Sequence, residues 1–190
     1  MPDTEVSLSI IIVNWNTRQL LVDCLRSVFA TVRDIDFEVI VVDNCSTDDS
    51  VECVRALFPQ VKLIESSENL GFARGNNVAL GEASGEFILL LNPDTVLLEH
   101  AVSRLCNALR AYPALGAVGS QLLNPDGTFQ QSWGRFPGLW TELPLVNRLL
   151  TRTPQVLASR SSHQEPPILL VDWVSGASLM MRRQALEQVG

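Results

Sequence analysis

The chain has 190 residues, of which 46% are hydrophobic and 18% charged, and its formal net charge is −7. This composition predicts a globular protein of about one domain, with or without an appendage, and excludes a disordered chain. The acidic balance and the lack of Lys/Arg-rich runs exclude binding to a nucleic-acid backbone. No apolar run reaches the roughly 20 residues of a membrane span and no signal peptide precedes the first strand, so we expect a soluble or peripherally attached protein.

Apolar, β-branched runs alternate with helical patterns over the first 122 residues. Because such alternation is typical of βαβ units, it predicts an α/β fold with a mainly parallel central sheet flanked by helices. The predicted strands cover residues 9–13, 37–42, 61–64, 87–91 and 117–122. The predicted helices cover about 17–30, 46–58, 72–83 and 98–111, with caps at Thr17 and at Ser46 or Thr47, and with Gly85 as the stop of the third.

The alternation ends after residue 122. The string Asn124-Pro125-Asp126-Gly127 predicts a turn between two extended pieces, and strand character returns at 168–174. Residues 134–167 are rich in Pro, Ser, Arg and Trp, and we expect a flexible segment there. We therefore divide the chain into an α/β half, residues 1–122, and a second portion, residues 123–190.

The chain contains four cysteines, which are scattered along the sequence. None forms a close pair with metal-ligand spacing, so we do not expect a structural zinc site. We interpret them as reduced thiols of a cytoplasmic protein. They are Cys24, Cys45, Cys53 and Cys106.

The apolar run at 87–91 leads directly into Asn92-Pro93-Asp94. A continuous apolar run suits a strand buried on both faces of a parallel sheet, and Pro93 ends the pairing because it has no N–H to donate. Asp94 is thereby predicted to lie just past the carboxyl end of a central strand, where open α/β sheets bind ligands. Its carboxylate has two interpretations, a metal ligand or the cap of a helix starting near Val96.

Polar residues also follow the first two predicted strands. Asn14 and Asn16 come after the first strand, and Asp43 and Asn44 open a polar run after the second. A carboxylate at such a position commonly accepts hydrogen bonds from a ribose or from a base N–H. The alternative is that Asp43 and the nearby Asp48 only shape a turn and cap a helix.

A segment rich in glycine and asparagine opens the third predicted helix. It contains Asn69, Gly71, Arg74 and Asn77, and such a segment can offer backbone N–H groups and a cation to a diphosphate. Its glycine spacing matches neither the dinucleotide-binding fingerprint nor a P-loop. The alternative is an ordinary helix start capped by asparagine.

The order of these motifs resembles family 2 of the inverting glycosyltransferases, which have the nucleotide-sugar-binding GT-A fold. The similarity runs from about residue 8 to residue 190, and its later segments resemble the rhamnosyltransferase-like branch. The matching segments are IIVNWN (11–16), VVDNCSTDDS (41–50), NLGFARGNN (69–77), LLLNPDT (89–95), DGTFQQS (126–132), RFP (135–137) and WVSGA (173–177).

The resemblance implies a site for a dTDP- or UDP-sugar at the sheet edge. Asp43 would contact the uracil or thymine ring, and Asn14 and Asn16 would line the nucleoside pocket. Asp94 would be the retained acid of the family's Asp-X-Asp motif and would bind Mg²⁺ or Mn²⁺ at the donor diphosphate. Asn92 stands where many members have the first aspartate, so the implied metal site has one negative charge fewer. The further donor-binding candidates are Asn44, Asn69, Gly71, Arg74 and Asn77.

On the acceptor side, the resemblance makes Trp173 a platform for the acceptor sugar, with Gly176 nearby; a core or rim tryptophan is the alternative. The implied reaction is an inverting, hexosyltransferase-type transfer to a saccharide or lipid-linked acceptor in cell-surface polysaccharide synthesis, with rhamnose from dTDP-rhamnose as the best match. It would occur in the cytoplasm or at the inner face of the membrane. An apolar patch is a candidate for peripheral membrane or partner contact, or for covering the sheet: Trp133, Trp140, Leu143, Leu145, Leu149 and Leu150.

An inverting transfer requires a general base that deprotonates the acceptor hydroxyl. In the family this acid follows a segment that residues 182–190 resemble, so we expect the base beyond Gly190, in a longer protein of which this chain binds donor but transfers poorly. Two alternatives stay open. A sugar nucleotidyltransferase would require a loop rich in glycine and Lys/Arg after the first strand, and a non-catalytic nucleotide-sugar-binding protein would require no base. The sequence indicates no particular oligomeric state.

Overall fold

The computed structural model describes residues 7–136, 155–157 and 168–189. The chain divides into two compact units. The first, which we call the sheet unit, comprises Met1–Ser120 and Gly176–Gly190; the second, the insert unit, comprises Gln121–Ser175. The sequence-based division into residues 1–122 and 123–190 stays a prediction.

The strands and helices have the following bounds. The strands are β1 Leu8–Asn14, β2 Phe37–Asp43, β3 Lys62–Glu65, β4 Phe87–Leu91, β5 Ala117–Gly119, β6 Leu122–Leu123, β7 Phe129–Gln130, β8 Trp133–Gly134, β9 Gln155–Leu157, β10 Ile168–Leu170, β11 Trp173–Val174 and β12 Ser178–Arg182. The helices are α1 Arg18–Thr31, α2 Ser50–Leu57, α3 Gly71–Leu80, α4 Ala101–Ala111 and α5 Arg183–Val189. Within the described ranges, none of the helices has the length and apolar character that crossing a membrane demands.

The sheet unit is built on a six-stranded sheet in the order β3-β2-β1-β4-β12-β5. β3, β2, β1 and β4 run parallel, whereas β12 pairs antiparallel with both β4 and β5. The predicted class, an α/β fold with a mainly parallel mixed sheet, is confirmed. The chain continues from β1 to β2 on one side and later returns to β4 on the other. The carboxyl ends of the strands at such a switch point form the crevice in which open α/β sheets bind ligands.

Both faces of the central strands are covered by apolar side chains. Ile10 and Ile12 of β1 belong to a buried cluster that includes the inner faces of α1 and α4, whereas Ile11 belongs to a second cluster with Ala79 of α3. Successive side chains of a strand point to opposite faces of the sheet. Because helices cover both faces, successive residues of β1 must be apolar, and its sequence is accordingly a continuous apolar run. Full burial of one such isoleucine side chain contributes about 1.5–3 kcal/mol to stability.

Strand β12 was not among the strands predicted from sequence. Its residues, Ser-Leu-Met-Met-Arg, include none that is β-branched or aromatic, so its strand propensity is weak. The strand forms because it fills the position between β4 and β5, with Ser178 and Met180 buried. Tertiary pairing here outweighs local propensity.

The two predicted helix caps bond differently from the prediction. Thr17 does occupy the N-cap position of α1, but its hydroxyl donates to Asn14 Oδ1 (2.6 Å) and does not cap the helix. The second helix begins at Ser50, later than a cap at Ser46 or Thr47 requires. Thr17, Ser46 and Thr47 instead form hydrogen bonds with the end of β1 and with the loop that follows it.

Two further helix boundaries differ from the prediction. α4 begins at Ala101, so Asp94 does not cap a helix starting near Val96. α3 ends at Leu80, so Gly85 is not its stop. A Cβ on Gly85 would lie 2.5 Å from the backbone nitrogen of Ser9, so glycine is required where the chain entering β4 passes the backbone of β1.

The insert unit contains short antiparallel strand pairs. The predicted turn joins β6 to β7: the Gly127 N–H donates to the Asn124 carbonyl (2.8 Å), and Gly127 has a φ of 83°. β8 pairs with β11, and β9 pairs with β10. The predicted flexible segment 134–167 lies largely outside the described residues, as does every member of the predicted apolar patch except Trp133.

Candidate functional site

The carboxyl ends of the parallel strands gather most of the predicted site residues at one edge of the sheet, which we call the carboxyl edge. Asn14 ends β1, Asp43 ends β2, and Asn92 directly follows β4. The antiparallel β12 begins at the same edge, because Ser178 pairs with Leu91. The edge and the start of α3 carry Asn14, Asn16, Asp43, Asn44, Asn69, Gly71, Arg74, Asn92, Asp94 and Gly176.

Asp43 is held by hydrogen bonds at the base of this edge and is 3% exposed. The Asn14 amide donates to one carboxylate oxygen (2.8 Å), and the Ser46 backbone N–H donates to the other (2.8 Å). Asn14 is itself fully buried; it also donates to the Ser46 hydroxyl (3.1 Å) and accepts from Thr17. Because each carboxylate oxygen keeps a second lone pair, Asp43 can still accept a donor from a ligand.

Hydrogen bonds tie together the loops that follow β1 and β2. The Ser46 hydroxyl accepts from the Asn16 backbone N–H (2.9 Å), and Asn16 Oδ1 accepts from the Thr47 backbone N–H (2.7 Å). Asn16 and Cys45 both have left-handed backbones, with φ of 53° and 62°. Such conformations are uncommon outside glycine, and they persist where surrounding bonds over-determine the loop.

Asp48 has the structural role that the sequence analysis gave as its alternative. Its carboxylate accepts from the Ser50 hydroxyl and from the backbone N–H of Arg18. Partial burial raises the pKa of Asp48, but these hydrogen bonds outweigh it, and the net pKa is lowered. Asp48 therefore stays ionised and connects the starts of α1 and α2.

Asn44 connects the end of β2 to the start of α3 and is 2% exposed. Its side-chain amide donates to the Gly71 carbonyl (3.2 Å), and its backbone N–H donates to the Asn14 carbonyl (2.8 Å). Asn69 Oδ1 accepts from the Gly71 N–H (2.8 Å) at the same helix start. The buried Asn44 Oδ1 has no hydrogen-bond partner among the described residues. The buried Asn44 side chain thus holds the first residue of α3 in position.

The first turn of α3 reaches the carboxyl edge because the helix packs closely on β1. A Cβ on Gly75 would lie 2.9 Å from Val13 Cγ1, so the close approach requires glycine. The early N–H groups of a helix lack partners within the helix and carry partial positive charge. Arg74 adds an exposed guanidinium, which pairs with Glu68 (Nη2–Oε1 3.2 Å).

Asp94 is the third residue of a turn that follows β4. The Asn92 N–H donates to the Ala177 carbonyl (2.9 Å), and the Asn92 carbonyl accepts from the Thr95 N–H (3.2 Å). Pro93 takes the second position of this turn, for which its fixed φ is suited. Asp94 is exposed, and its carboxylate forms no hydrogen bond or ion pair with residues in the described part of the chain.

The oxygen atoms of this turn suit a hard divalent cation. Asp94 offers a free carboxylate, and the half-buried Asn92 offers an amide oxygen, which is also a ligand type for such ions. Across residues 7–136, 155–157 and 168–189, no group of three acidic, His or Cys side chains could hold a metal. The site therefore fits an ion held by one or two protein oxygens together with ligand phosphates, which is the usual arrangement for Mg²⁺.

Helix α1 lies against this turn through Cys24, whose thiol donates to the Asn92 carbonyl (Sγ–O 3.6 Å). Burial raises the pKa of the Cys24 thiol to about 12; a hydrogen bond with the Thr95 side chain lowers it, and the nearby charge of Asp94 raises it. The thiol is therefore protonated at neutral pH and remains a donor to the turn.

Three predicted site residues remain to be placed: Gly176 lies beside the first turn of α3, Asn77 lies farther along that helix, and Trp173 belongs to the other unit. Asn77 lies almost two turns into α3, with an exposed side chain. Gly176 belongs to the sheet unit, where a Cβ would lie 3.3 Å from the Phe72 ring. Trp173 belongs to the insert unit and is 37% exposed; its ring covers Gly134 and its Nε1 donates to the Arg135 carbonyl (3.1 Å).

Two aromatic residues exposed at the carboxyl edge were not among the predicted site residues. Trp15, between Asn14 and Asn16, is 55% exposed, and Phe72, in the first turn of α3, is 50% exposed. An aromatic residue between two polar ones directly after a buried strand was the signal available for Trp15. Exposed aromatic faces beside polar groups are suited to stacking on a planar ligand.

A polar cavity of about 480 Å³ lies at the opposite edge of the sheet unit. Two arginines and two glutamates line it, so their charges balance, and Arg182 and Arg183 donate to the Leu115 and Gly85 carbonyls. The carboxyl edge, with its free carboxylate and helix start, is the stronger candidate site.

A family model for glycosyl transferase family 2 matches residues 9–190. The chain belongs to this family. It is 30% identical over 174 residues to the N-acetylglucosaminyl-diphospho-decaprenol L-rhamnosyltransferase of Mycobacterium tuberculosis, an alignment that covers 85% of this chain and 56% of that protein. The chain thus spans little more than half the length of this relative.

Solved structures of glycosyltransferases share the fold. The mannosyltransferase PcManGT of Pyrobaculum calidifontis, in complex with GDP-Man and Mn²⁺, superimposes with a TM-score of 0.66 at 22% identity, covering all of this chain and 48% of that one. Residues 1–349 of Staphylococcus aureus TarS, in complex with UDP-GlcNAc, give a TM-score of 0.57 at 24% identity, covering 67% of this chain and 38% of that one. The fold of this chain is accordingly GT-A-like.

Proposed function

We propose that this chain binds a nucleoside-diphosphate sugar at the carboxyl edge and forms the donor-binding part of an inverting glycosyltransferase. The observation that carries the proposal is that three groups lie at one edge of the sheet. They are the hydrogen-bonded carboxylate of Asp43, the start of α3 with Arg74, and the exposed carboxylate of Asp94. These three groups match the three parts of such a donor, which are a base, a diphosphate and its counterion.

The base and nucleoside would bind over the loops after β1 and β2. Asp43 would accept the imide N–H of uracil or thymine, because both its oxygens keep a free lone pair. Asn14 would hold Asp43 in place, Asn16 would border the nucleoside, and the exposed Trp15 ring would stack on it.

The diphosphate would bind between α3 and the Asp94 turn. The N–H groups in the first turn of α3 and the Arg74 guanidinium would donate to phosphate oxygens, and Arg74 would exchange Glu68 for the phosphate. Asn44 and Asn69 would keep Gly71, and with it the helix start, in position. Asn77 would contact the donor only from the exposed face of α3, beyond its first turn.

Asp94, with Asn92, would hold Mg²⁺ or Mn²⁺ at the donor diphosphate. Such an ion, when bound, offsets the negative charge that develops on a departing nucleoside diphosphate. The protein carries a net charge of −7, so an anionic donor also needs the cationic groups of this edge.

For the acceptor, we propose a saccharide or a lipid-linked saccharide, for which the exposed ring of Trp173 in the insert unit would be a platform. The Mycobacterium tuberculosis relative is named for L-rhamnosyl transfer to a decaprenol-linked sugar, which supports rhamnose as the transferred sugar and a lipid-linked acceptor. We further propose dTDP-rhamnose as the donor and a cytoplasmic reaction at the inner membrane face. We assign no general base among the described acids.

The test is calorimetric titration of the chain with dTDP, UDP and GDP, each with and without Mn²⁺. The variant Asp94→Ala should lose the Mn²⁺-dependent part of nucleotide binding, by about tenfold or more in affinity, because it removes the charged ligand. Asp126→Ala is the matched control, since Asn124-Pro125-Asp126 repeats the same tripeptide in the insert unit. Equal effects of the two substitutions, or no nucleotide binding by the wild type, would contradict the proposal.

A further inference from the structure

The turn that carries Asp94 is fastened to its surroundings at three points. On one side, the Asn92 N–H donates to the Ala177 carbonyl (2.9 Å). On the other side, helix α1 supplies two contacts: the Cys24 thiol donates to the Asn92 carbonyl (3.6 Å), and the Ser27 hydroxyl accepts from the Leu97 N–H (2.9 Å). The exposed Asp94 lies between these fastened positions.

Ser27 is the central contact, because its hydroxyl serves two partners at once. It donates to the Cys24 carbonyl within α1 (2.7 Å) and accepts from the Leu97 N–H (2.9 Å). Because its one hydrogen is used toward the Cys24 carbonyl, the hydroxyl oxygen keeps its lone pairs for the Leu97 N–H. Ser27 and Leu97 are both buried, so no water replaces the acceptor if the hydroxyl is removed.

We propose that Ser27 and Cys24 are positioning residues that hold the Asp94 turn in the geometry in which its carboxylate binds the divalent ion of the donor; this inference rests on the proposed function. Both residues are buried in α1, and neither contacts the Asp94 carboxylate through a hydrogen bond. They act by fixing the backbone on both sides of Asp94, at Asn92 and at Leu97.

The geometry explains why such buried contacts matter for an exposed ligand. Asp94 follows Asn92 by two residues and precedes Leu97 by three, so a shift at either anchor moves the carboxylate. Metal–oxygen distances vary by only about 0.2 Å in good sites, and outer contacts of metal ligands typically change metal affinity by about 10–100-fold. Loss of the Ser27 hydroxyl or of the Cys24 thiol, both inside α1, should therefore lower the affinity of the Asp94 turn for the metal ion.

The test compares Ser27→Ala with wild type in the 190-residue chain. Mn²⁺ is titrated in the presence of the nucleotide that the wild type binds best, and nucleotide affinity is measured separately without metal. We expect Mn²⁺ affinity to fall about tenfold while metal-free nucleotide affinity stays within about twofold. Hydrogen exchange at the Leu97 amide should quicken in the same variant, because its acceptor is gone.

Thr31→Ala is the matched control, because the Thr31 hydroxyl donates to the Ser27 carbonyl (2.8 Å) within the same helix and not to a residue of the turn. It should leave both affinities and the Leu97 amide unchanged. Ser27→Thr keeps the hydroxyl and should restore Mn²⁺ affinity to within about threefold of wild type. Equal losses in the Ser27→Ala and Thr31→Ala variants would reduce Ser27 to a general stabiliser and overturn the inference.

Cys24→Ala provides a second variant if Ser27→Ala does not fold. It removes one donor from the Asn92 carbonyl, which keeps the Thr95 N–H, so a smaller loss of Mn²⁺ affinity of about threefold is expected. Wild-type Mn²⁺ affinity in this variant would contradict a role for Cys24.

Faster exchange at Leu97 with unchanged Mn²⁺ affinity in Ser27→Ala would overturn the inference but leave the proposed function intact. A wild type that binds no nucleotide would overturn both the inference and the proposed function.

Discussion

At the scale of single residues, the buried Asn14 side chain determines how the Asp43 carboxylate is presented. Its amide donates to Asp43 and to the Ser46 hydroxyl, and its oxygen accepts from Thr17. One side chain therefore links the end of β1, the loop after β2 and the start of α1. The strand pattern predicted Asn14 and Asp43 at one edge, but it could not show that Asn14 is buried, because burial depends on the loops that cover it.

Asn14→Ala should lower the free energy of unfolding by about 2–3 kcal/mol, because the buried Asp43 carboxylate and the half-buried hydroxyls of Ser46 and Thr17 each lose a partner. It should also weaken nucleotide binding, since the Asp43 carboxylate is no longer held on one side. Urea unfolding and nucleotide titration measure the two effects. Asn107→Ala, at an exposed position of α4, is the control and should stay within about 0.5 kcal/mol of wild type.

Glu38 provides a pH-dependent contribution to stability far from the carboxyl edge. One of its oxygens accepts from the Ser9 hydroxyl (2.6 Å) and from the Ser84 N–H (2.6 Å) and hydroxyl (2.7 Å). Burial raises the pKa of Glu38, but these hydrogen bonds and the Lys62 charge outweigh it, so the pKa is lowered from 4.5. The stabilisation is therefore present above pH 4.5 and is lost as the pH falls through the lowered pKa.

Glu38→Gln should accordingly destabilise the chain by about 1 kcal/mol at pH 7, a modest value because the carboxylate is partly exposed to solvent. The difference between variant and wild type should shrink as the pH falls below 4.5 and through the lowered pKa of Glu38, because the wild-type carboxylate then becomes protonated as well. Thermal unfolding at pH 7 and at pH 3 measures it. A difference that stays constant across this range would contradict the assignment.

At the scale of elements, the close contact between α3 and β1 brings the helix start to the carboxyl edge. Gly75 allows that contact, because a Cβ would lie 2.9 Å from Val13 Cγ1 and 3.5 Å from the Asn44 amide nitrogen. The helical pattern predicted α3 from sequence. It could not predict which glycine is needed for packing, because that depends on the strand against which the helix lies.

Gly75→Ala and Gly81→Ala should therefore have opposite effects. Gly81 is the C-cap of α3 and has a helical backbone (φ −63°, ψ −21°), so alanine fits there and should stabilise by about 0.4–1 kcal/mol. The methyl group has room, because its nearest neighbour would lie at 3.5 Å. At Gly75 the clash should outweigh this gain and destabilise by about 1–2 kcal/mol, with weaker nucleotide binding as α3 moves outward. Chemical denaturation of both variants measures the signs; stabilisation by both substitutions would show that Val13 yields.

At the scale of the whole molecule, the sheet unit is made from two separated stretches of chain. β12 returns to the sheet between β4 and β5, after the insert unit. Where β5 and β12 meet, the Ser120 N–H donates to the Ser178 carbonyl (3.1 Å), and the two serine hydroxyls lie 2.7 Å apart. A short connection could therefore replace Gln121–Ser175 without disturbing the sheet.

We expect a chain in which about four Gly/Ser residues replace Gln121–Ser175 to fold, because a short loop closes at lower entropic cost than a long one. It should bind nucleotide with Mn²⁺ within about threefold of the original chain, since the proposed donor residues all lie in the sheet unit. Deletion of Gly176–Gly190 should instead abolish folding, because β5 loses its partner strand. Circular dichroism and nucleotide titration compare the two chains.

Sequence alone determined the central strands, the helices between them, and the polar residues that follow β1, β2 and β4. These features are readable because apolar periodicity and local turn chemistry act over a few residues. Only the tertiary structure decided that β12 completes the sheet, that Asn14, itself bonded by Thr17, donates to Asp43, and that α1 supports the Asp94 turn. Those contacts join residues far apart in the chain, and weak local signals such as Ser-Leu-Met-Met-Arg acquire their conformation from the neighbours they meet.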